Sequence, residues 1–229
     1  QMCIRDRYLQ SHGLKHARPV SSMLWKISYR YSCICHNSIQ NQRWKTVHFT
    51  VWIVRALKMS LIDRTNHKYD LEQIKWELSN LNISWQPDAD GSLQTALQHR
   101  GDCSFHDACG SLKDRPDVSE RDFSQLLPLY EGTILSQIIK DFDAVRSRLM
   151  RKNMHTTYSV HKDKAKRYHM AIDTHEHAYF IFPKKGLIQD RKEIFHIPAD
   201  GYVYEVNTTV AHTVANCGPD RTHLVMVKK

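Results

Sequence analysis

Thr157-Tyr158-Ser159-Val160-His161-Lys162-Asp163-Lys164-Ala165-Lys166-Arg167-Tyr168-His169-Met170-Ala171-Ile172 marks the point where the chain changes its period. Before Lys152, apolar residues recur at helical spacing. From here on they alternate, or come in short runs bounded by turn residues, which is the pattern of strands. Strands are expected near 155–161, 167–173, 177–182, 193–197, 201–206, 210–216 and 222–227. Turns are expected at Pro183-Lys184-Lys185-Gly186 and Pro198-Ala199-Asp200-Gly201. Many short strands punctuated in this way indicate a sandwich or barrel.

The same stretch carries His161-x-Asp163. In an extended segment, residues i and i+2 share a face, so one imidazole and one carboxylate can hold one metal ion. The third ligand is expected from His212, 49 residues beyond Asp163 in the alternating run Val210-Ala211-His212-Thr213-Val214. Two His and one carboxylate on one side of a metal leave positions open for substrate and oxygen, as in non-haem Fe(II) sites. Arg221 follows His212 by nine residues, ahead of the apolar run His223–Val227. A guanidinium binds a carboxylate through two parallel hydrogen bonds, and Arg221 is a candidate clamp for a 2-oxo acid. A strand-rich chain with a metal in its mouth reads as mainly β: a double-stranded β-helix (jelly roll, cupin-like) core with flanking N-terminal helices.

With these residues in hand, the sequence resembles the aspartyl/asparaginyl β-hydroxylase family of Fe(II)- and 2-oxoglutarate-dependent oxygenases. The resemblance runs from Arg146 to Val227 and more weakly upstream to Gly101. It implies that His161, Asp163 and His212 bind Fe(II), with Asp163 standing where some members have glycine. It implies that Arg221 holds the 5-carboxylate of 2-oxoglutarate, with Arg167 and His169 near its other end by analogy with an R-x-H pair. The gap from His161 to Arg167 is shorter than in the best-known members. The implied activity uses Fe(II), 2-oxoglutarate and O2 to hydroxylate an unactivated C–H bond of an Asp/Asn/Pro-type amino acid or peptide residue. The alternative is a non-catalytic or non-2-oxoglutarate cupin-type metal-binding protein, and Arg221 discriminates between the two.

Other side chains in this half have two readings. His169-Met170-Ala171 could itself be a metal motif with alanine in the carboxylate place. Tyr158 either brings its hydroxyl to the co-substrate through a bend or belongs to the core. Of His175-Glu176-His177, His175 is the candidate substrate contact. Asn207 and Asn216 flank His212 and either line the pocket or satisfy backbone groups.

Working outward, Leu135, Ile138, Ile139, Phe142, Val145 and Leu149 form one apolar stripe after Thr133 and predict a long helix. Arg146, Arg148 and Arg151 then fall on a solvated face. Leu71, Ile74, Leu78 and Leu81 predict an earlier helix capped by Thr65 or Asn66, followed by a turn at Trp85–Gly91. Residues 92–128 are polar and weakly periodic, as expected of loops over a site's mouth. Cys103-x-x-His106-x-x-Cys109 within them reads as either a zinc half-site or such a loop.

The chain has 229 residues and a formal charge of +9. Residues 1–58 hold ten Lys and Arg against the single acid Asp6, so the rest is balanced. The part carrying the chemistry therefore gives no argument for a nucleic-acid partner. Residues 1–58 lack any sustained period and are read as a non-native or disordered basic extension, with Met59 a plausible start and a basic targeting arm the runner-up. Residues 59–229 are then one oxygenase domain, helical and looped over 59–153 and jelly-roll over 154–229. Phe49–Leu57 is too short to span a membrane. Cys103, Cys109 and Cys217 make no disulfide framework, which suits a reducing cytoplasm. The partner is expected to be a small-molecule or peptide substrate.

Overall fold

The computed structural model describes residues 60–88, 91–101, 104–184 and 191–229. The reading of 1–58 lies outside the described residues, as does Cys103 of the zinc half-site.

The strand β1 (Ile62–Lys68) was not foreseen, and it explains why Thr65 is no cap. Thr65 Oγ1 donates instead to the Val203 carbonyl at 2.8 Å. Asp70 caps α1 (Leu71–Ser79), its carboxylate accepting from the N–H groups of Glu72 and Gln73. Ile74 is the buried residue of that helix. After it come β2 (Gln86–Pro87), β3 (Leu93–Ala96), β4 (Gln98–His99) and β5 (Gln125–Leu126), short strands inside a region expected to be loop.

The predicted helix over 135–149 is two elements. Thr133 caps α2 (Ile134–Asp141), and the chain then turns through Asp143 at φ 42° and Arg146 at φ 47°. Strand β6 covers Val145–Lys152. A spacing of four fits a helix turn and also two pleats of a strand, so Val145 and Leu149 satisfied both templates. The correction matters for function, because Arg146 and Arg148 are buried rather than solvated. Arg151 stacks over Trp85 at 4.6 Å.

The remaining strands are β7 (Thr156–Thr157), β8 (Arg167–Asp173), β9 (Ala178–Lys184), β10 (Arg191–Phe195), β11 (Tyr202–Val206), β12 (Thr213–Asn216) and β13 (Arg221–Val227). They build two antiparallel sheets. One runs β1-β11-β8-β13-β6-β3-β2 and the other β10-β9-β12-β7. The eight strands β6 to β13 thus divide four and four, in the orders 11-8-13-6 and 10-9-12-7, which is the double-stranded β-helix. The core begins at Val145, ahead of the boundary expected at 154. Strand 155–161 shortens to the two residues of β7, rejoined at an isolated bridge between His161 and His212.

Two apolar clusters hold this together. Tyr168, Met170, Ile172, Leu149, Leu224 and Met226 point outward from the larger sheet and pack with Ile74, Leu135, Ile138 and Ile139 of the helices. Phe180, Phe182, Ile197, Tyr204, Val206 and Val214 pack between the sheets. Among the described residues no helix is long and apolar enough to cross a membrane, and Cys109 and Cys217 are free thiols.

Candidate metal centre and its cavity

His161 and His212 each donate a backbone N–H to the other's carbonyl, at 3.0 and 2.9 Å. Directly paired residues of an antiparallel bridge present their side chains on one face, and the two imidazoles lie with centroids 4.4 Å apart. Asp163, two residues on, is tied by its own N–H to the Thr208 carbonyl at 2.9 Å. One donor atom from each of His161, Asp163 and His212 lies within 4.8 Å of the others.

The ring orientation suits ligation. His161 Nδ1 lies 2.7 Å from the Ser159 carbonyl and His212 Nδ1 lies 3.0 Å from the Val210 carbonyl. A carbonyl only accepts, so each Nδ1 carries the proton and each Nε2 keeps its lone pair for a metal. Burial also lowers the His212 pKa, which favours the neutral ring that ligation needs.

A chain of ion pairs fixes the carboxylate. Arg167 Nε donates to Asp163 Oδ2 at 3.0 Å, and its Nη2 donates to Glu120 Oε1 at 2.7 Å. Arg146 Nη1 reaches the same Glu120 oxygen at 2.7 Å. Burial alone would raise both carboxyls, but the guanidiniums outweigh it and hold Asp163 and Glu120 below the ordinary range. Arg146 is further held by the Ala108 and Gly110 carbonyls. Its left-handed backbone is a conformation costing about 1–3 kcal/mol that persists where surroundings over-determine it.

Behind the centre the barrel interior is cationic. Alternation along β8 puts Arg167 and then His169 on the inner face, and along β13 it puts Val225, His223 and Arg221 there. His169 packs edge-on to Phe180, and the Arg221 guanidinium lies 5.6 Å from the centre of the same ring. Arg221 is 6% exposed. Among the described residues its one hydrogen-bond neighbour is His223 Nε2, at 3.5 Å, and no carboxylate pairs with it. Burial pushes its pKa down to about 10. Burial and the Arg221 charge keep His169 and His223 neutral, and the Nδ1 of each is buried without a partner.

The other expected residues separate clearly. Tyr158 lines the cavity beside the metal centre, with the Lys152 ammonium 3.5 Å from its ring centre. The ligand cluster uses His161 and not His169, so the His169-Met170-Ala171 reading is not adopted. His175 sits at the turn into β13, its Nε2 2.7 Å from Asn216 Oδ1 and 2.9 Å from the Pro219 carbonyl, packed where a Cβ on Gly218 would clash. It braces the turn into β13 and does not line the cavity. Asn207 is buried, and its side-chain oxygen accepts from Thr209. Asn216 binds the carbonyls of Lys152, Asn153 and Pro219.

A cavity of about 750 Å³ opens over the centre. It contains His161, Asp163, His212, Arg167, His169, Phe180 and Tyr158, and it extends to Gln94, Arg146 and Arg148. Residues 110–113 and 116–121 of the polar loop form part of its wall. Sequence reasoning missed Arg148 and Glu120, while Gln94 belongs to the polar stretch 92–128 expected over the mouth. The alternation Arg146-x-Arg148 was a strand-type signal, masked by the apparent helix. Glu120 lies in a segment with no period.

No protein-family model matches the chain, and no curated protein does. Among solved structures it is similar to an oxidoreductase of the 2OG-Fe(II) oxygenase family from Burkholderia pseudomallei, at 15% identity over 69% of this chain and 77% of that one, TM-score 0.47. It is similar to a Pseudomonas putida prolyl-4-hydroxylase at 10% identity, over 75% of this chain and 94% of that one, TM-score 0.39. It is also similar to the Rhodobacter sphaeroides SigE complex with the anti-sigma ChrR, at 14% identity over 64% and 50%, TM-score 0.32.

Proposed function

We propose that this chain is an Fe(II)- and 2-oxoglutarate-dependent oxygenase that hydroxylates a C–H bond of a small molecule or of an Asp/Asn/Pro-type amino acid or peptide residue. The observation that carries the reading is the pairing of a two-His, one-carboxylate donor set with a buried guanidinium that has no carboxylate partner among the described residues and lies behind Phe180, a wall of the same cavity. A metal-binding jelly roll without a 2-oxo acid has no use for Arg221, whose burial without a carboxylate is costly.

The donor set fits the metal. Two neutral imidazole nitrogens and one carboxylate are the ligands of facial Fe(II) sites, and they leave positions for other groups. When bound, the iron supplies the oxidising chemistry by which O2 and 2-oxoglutarate become succinate, CO2 and one hydroxyl on the substrate. The protein's own residues do the rest. His161, Asp163 and His212 would hold the ion, with Ser159 and Val210 orienting the imidazoles and Arg167 orienting the carboxylate. Arg221 would take the distal carboxylate of 2-oxoglutarate. Phe180 and Val214 line the cavity between them and would exclude water, which strengthens that charge pair. Tyr158 and His169 flank it as further polar contacts for the co-substrate.

The test is 2-oxoglutarate turnover with a substrate panel of free amino acids and short peptides, read as succinate by NMR. Substrate-stimulated succinate that disappears in Asp163→Ala supports the reading. Succinate formed equally well by Asp163→Ala would end it.

A further inference from the structure

We propose that Arg148, set by Gln94, is the subsite that receives an oxyanion of the substrate, a carboxylate or a phosphate. The proposal rests on the oxygenase reading for the word substrate, but its geometry is separate.

Arg148 lines the cavity that holds the His-Asp-His cluster, yet the residue is only 6% exposed. Among the described residues it makes one hydrogen bond, from Nη1 to Gln94 Oε1 at 3.0 Å. Its Nε is buried with no acceptor. The Nε–Nη2 edge of a guanidinium is one of the two edges that grip an oxyanion through parallel bonds. Gln94 is itself fixed, because its Nε2 donates to Asp88 and its Oε1 also accepts from the Gly110 N–H. Its amide oxygen is thereby turned toward Arg148.

The neighbouring acids are committed elsewhere. Glu120 serves Arg146 and Arg167, and Asp163 serves Arg167 and the metal centre. Arg146 and Arg167 are thus structural cations with carboxylates, while Arg148 has none among the described residues. Burial pushes its pKa down to about 9, with Arg146 and Arg167 adding to the effect, so the unmatched charge is held at a cost.

Arg148 is also in the wrong place to serve the co-substrate. Val225 of β13 pairs with His169 on one side and with Arg148 on the other. Two strand spacings put Arg148 roughly 10 Å across the sheet from His169. Arg221 lies four residues further down β13 than Val225, roughly 13 Å deeper. Arg148 lines the cavity that holds the His-Asp-His cluster, whereas Arg221 is not one of its lining residues. Exposed Lys113, Arg121, Lys162 and Lys164 line the same cavity and bias it toward anions.

The experiment uses the full chain loaded with Fe(II) and 2-oxoglutarate under nitrogen, so nothing turns over. Three probes are titrated by calorimetry: N-acetyl-aspartate α-amide, N-acetyl-phosphoserine amide and the neutral N-acetyl-asparagine amide. At least one charged probe should bind about tenfold or more tighter than the neutral one, and which one does so identifies carboxylate or phosphate. Arg148→Met should erase that preference and leave 2-oxoglutarate affinity intact. It should also melt at the same temperature or higher, because removing an unmatched buried charge is no loss. No preference for charge, a preference that survives in Arg148→Met, or a melting point lowered by more than about 4 °C would each overturn the proposal. If 2-oxoglutarate fails to bind the wild type, the oxygenase reading falls, and the same titrations on the metal-free chain still decide whether Arg148 binds an oxyanion.

Discussion

Strands β6, β8 and β13 have two buried faces of opposite chemistry. Outward, Leu149, Met170, Ile172, Leu224 and Met226 meet the helices and are apolar throughout. Inward, the buried Arg148, Arg167, His169, Arg221 and His223 are cationic or polar and lie among the apolar Ala171, Val225 and Val227. The outer face stabilises the fold at about 25 cal/mol per Å² of apolar surface removed from water. The inner face cannot, because a buried charge is tolerable only when matched. Within it Arg167 is matched by two carboxylates, whereas Arg148 and Arg221 have none among the described residues. Burial alone therefore does not distinguish core from site, but the partner inventory does.

Substitutions can break this comparison at several points. Glu120→Gln removes the carboxylate shared by Arg146 and Arg167, and it should cost about 3–5 kcal/mol in denaturant unfolding. A loss under about 1 kcal/mol would mean that the ion-pair chain is not structural. Leu224→Ala on the outer face should cost about 2–5 kcal/mol while leaving iron and 2-oxoglutarate affinities unchanged, which tests whether the two faces are energetically separate. Arg167→Lys keeps the charge but loses the fork that ties Asp163 to Glu120. Iron affinity measured by competition with a chelator should fall about 10–100-fold, the usual cost of losing an outer partner. His175→Ala should cost only about 1 kcal/mol and leave iron affinity alone, since it braces the turn into β13 and is not among the residues that line the cavity.

The pH dependence follows from Glu120. Its folded pKa is lowered, so the unfolded chain takes the proton first and protonation favours unfolding. Its contribution is complete above the ordinary glutamate value, about 4.3, and is lost as pH falls through the lowered folded one. Urea midpoints of the wild type should therefore drop below about pH 4, and those of Glu120→Gln should drop less steeply.

Much of this architecture was legible in the chain. The alternation of β8, β11 and β13 marks strands, and His161-x-Asp163 with His212 in an alternating run marks three side chains that converge. Strand β6 was not legible, because Val145 and Leu149 fit helix and strand spacing equally and carried Arg148 to the wrong side of the molecule. Glu120 was hidden because a loop residue has no period, and its role appears only when Arg146 and Arg167 close on it. The position of His175 at the turn into β13 was hidden for a related reason. Alternation says which face a side chain takes but not which end of the barrel it reaches.

The central claim is that the unmatched Arg221 guanidinium waits for the distal carboxylate of 2-oxoglutarate. Its most direct test is calorimetric titration of 2-oxoglutarate into the Fe(II)-loaded protein under nitrogen, wild type beside Arg221→Lys and Arg221→Met. The account expects wild type to bind, Arg221→Lys to bind more weakly because a lysine lacks the paired donors, and Arg221→Met to lose about tenfold or more with iron affinity unchanged. Equal affinity in wild type and Arg221→Met, or no binding by either, would contradict it.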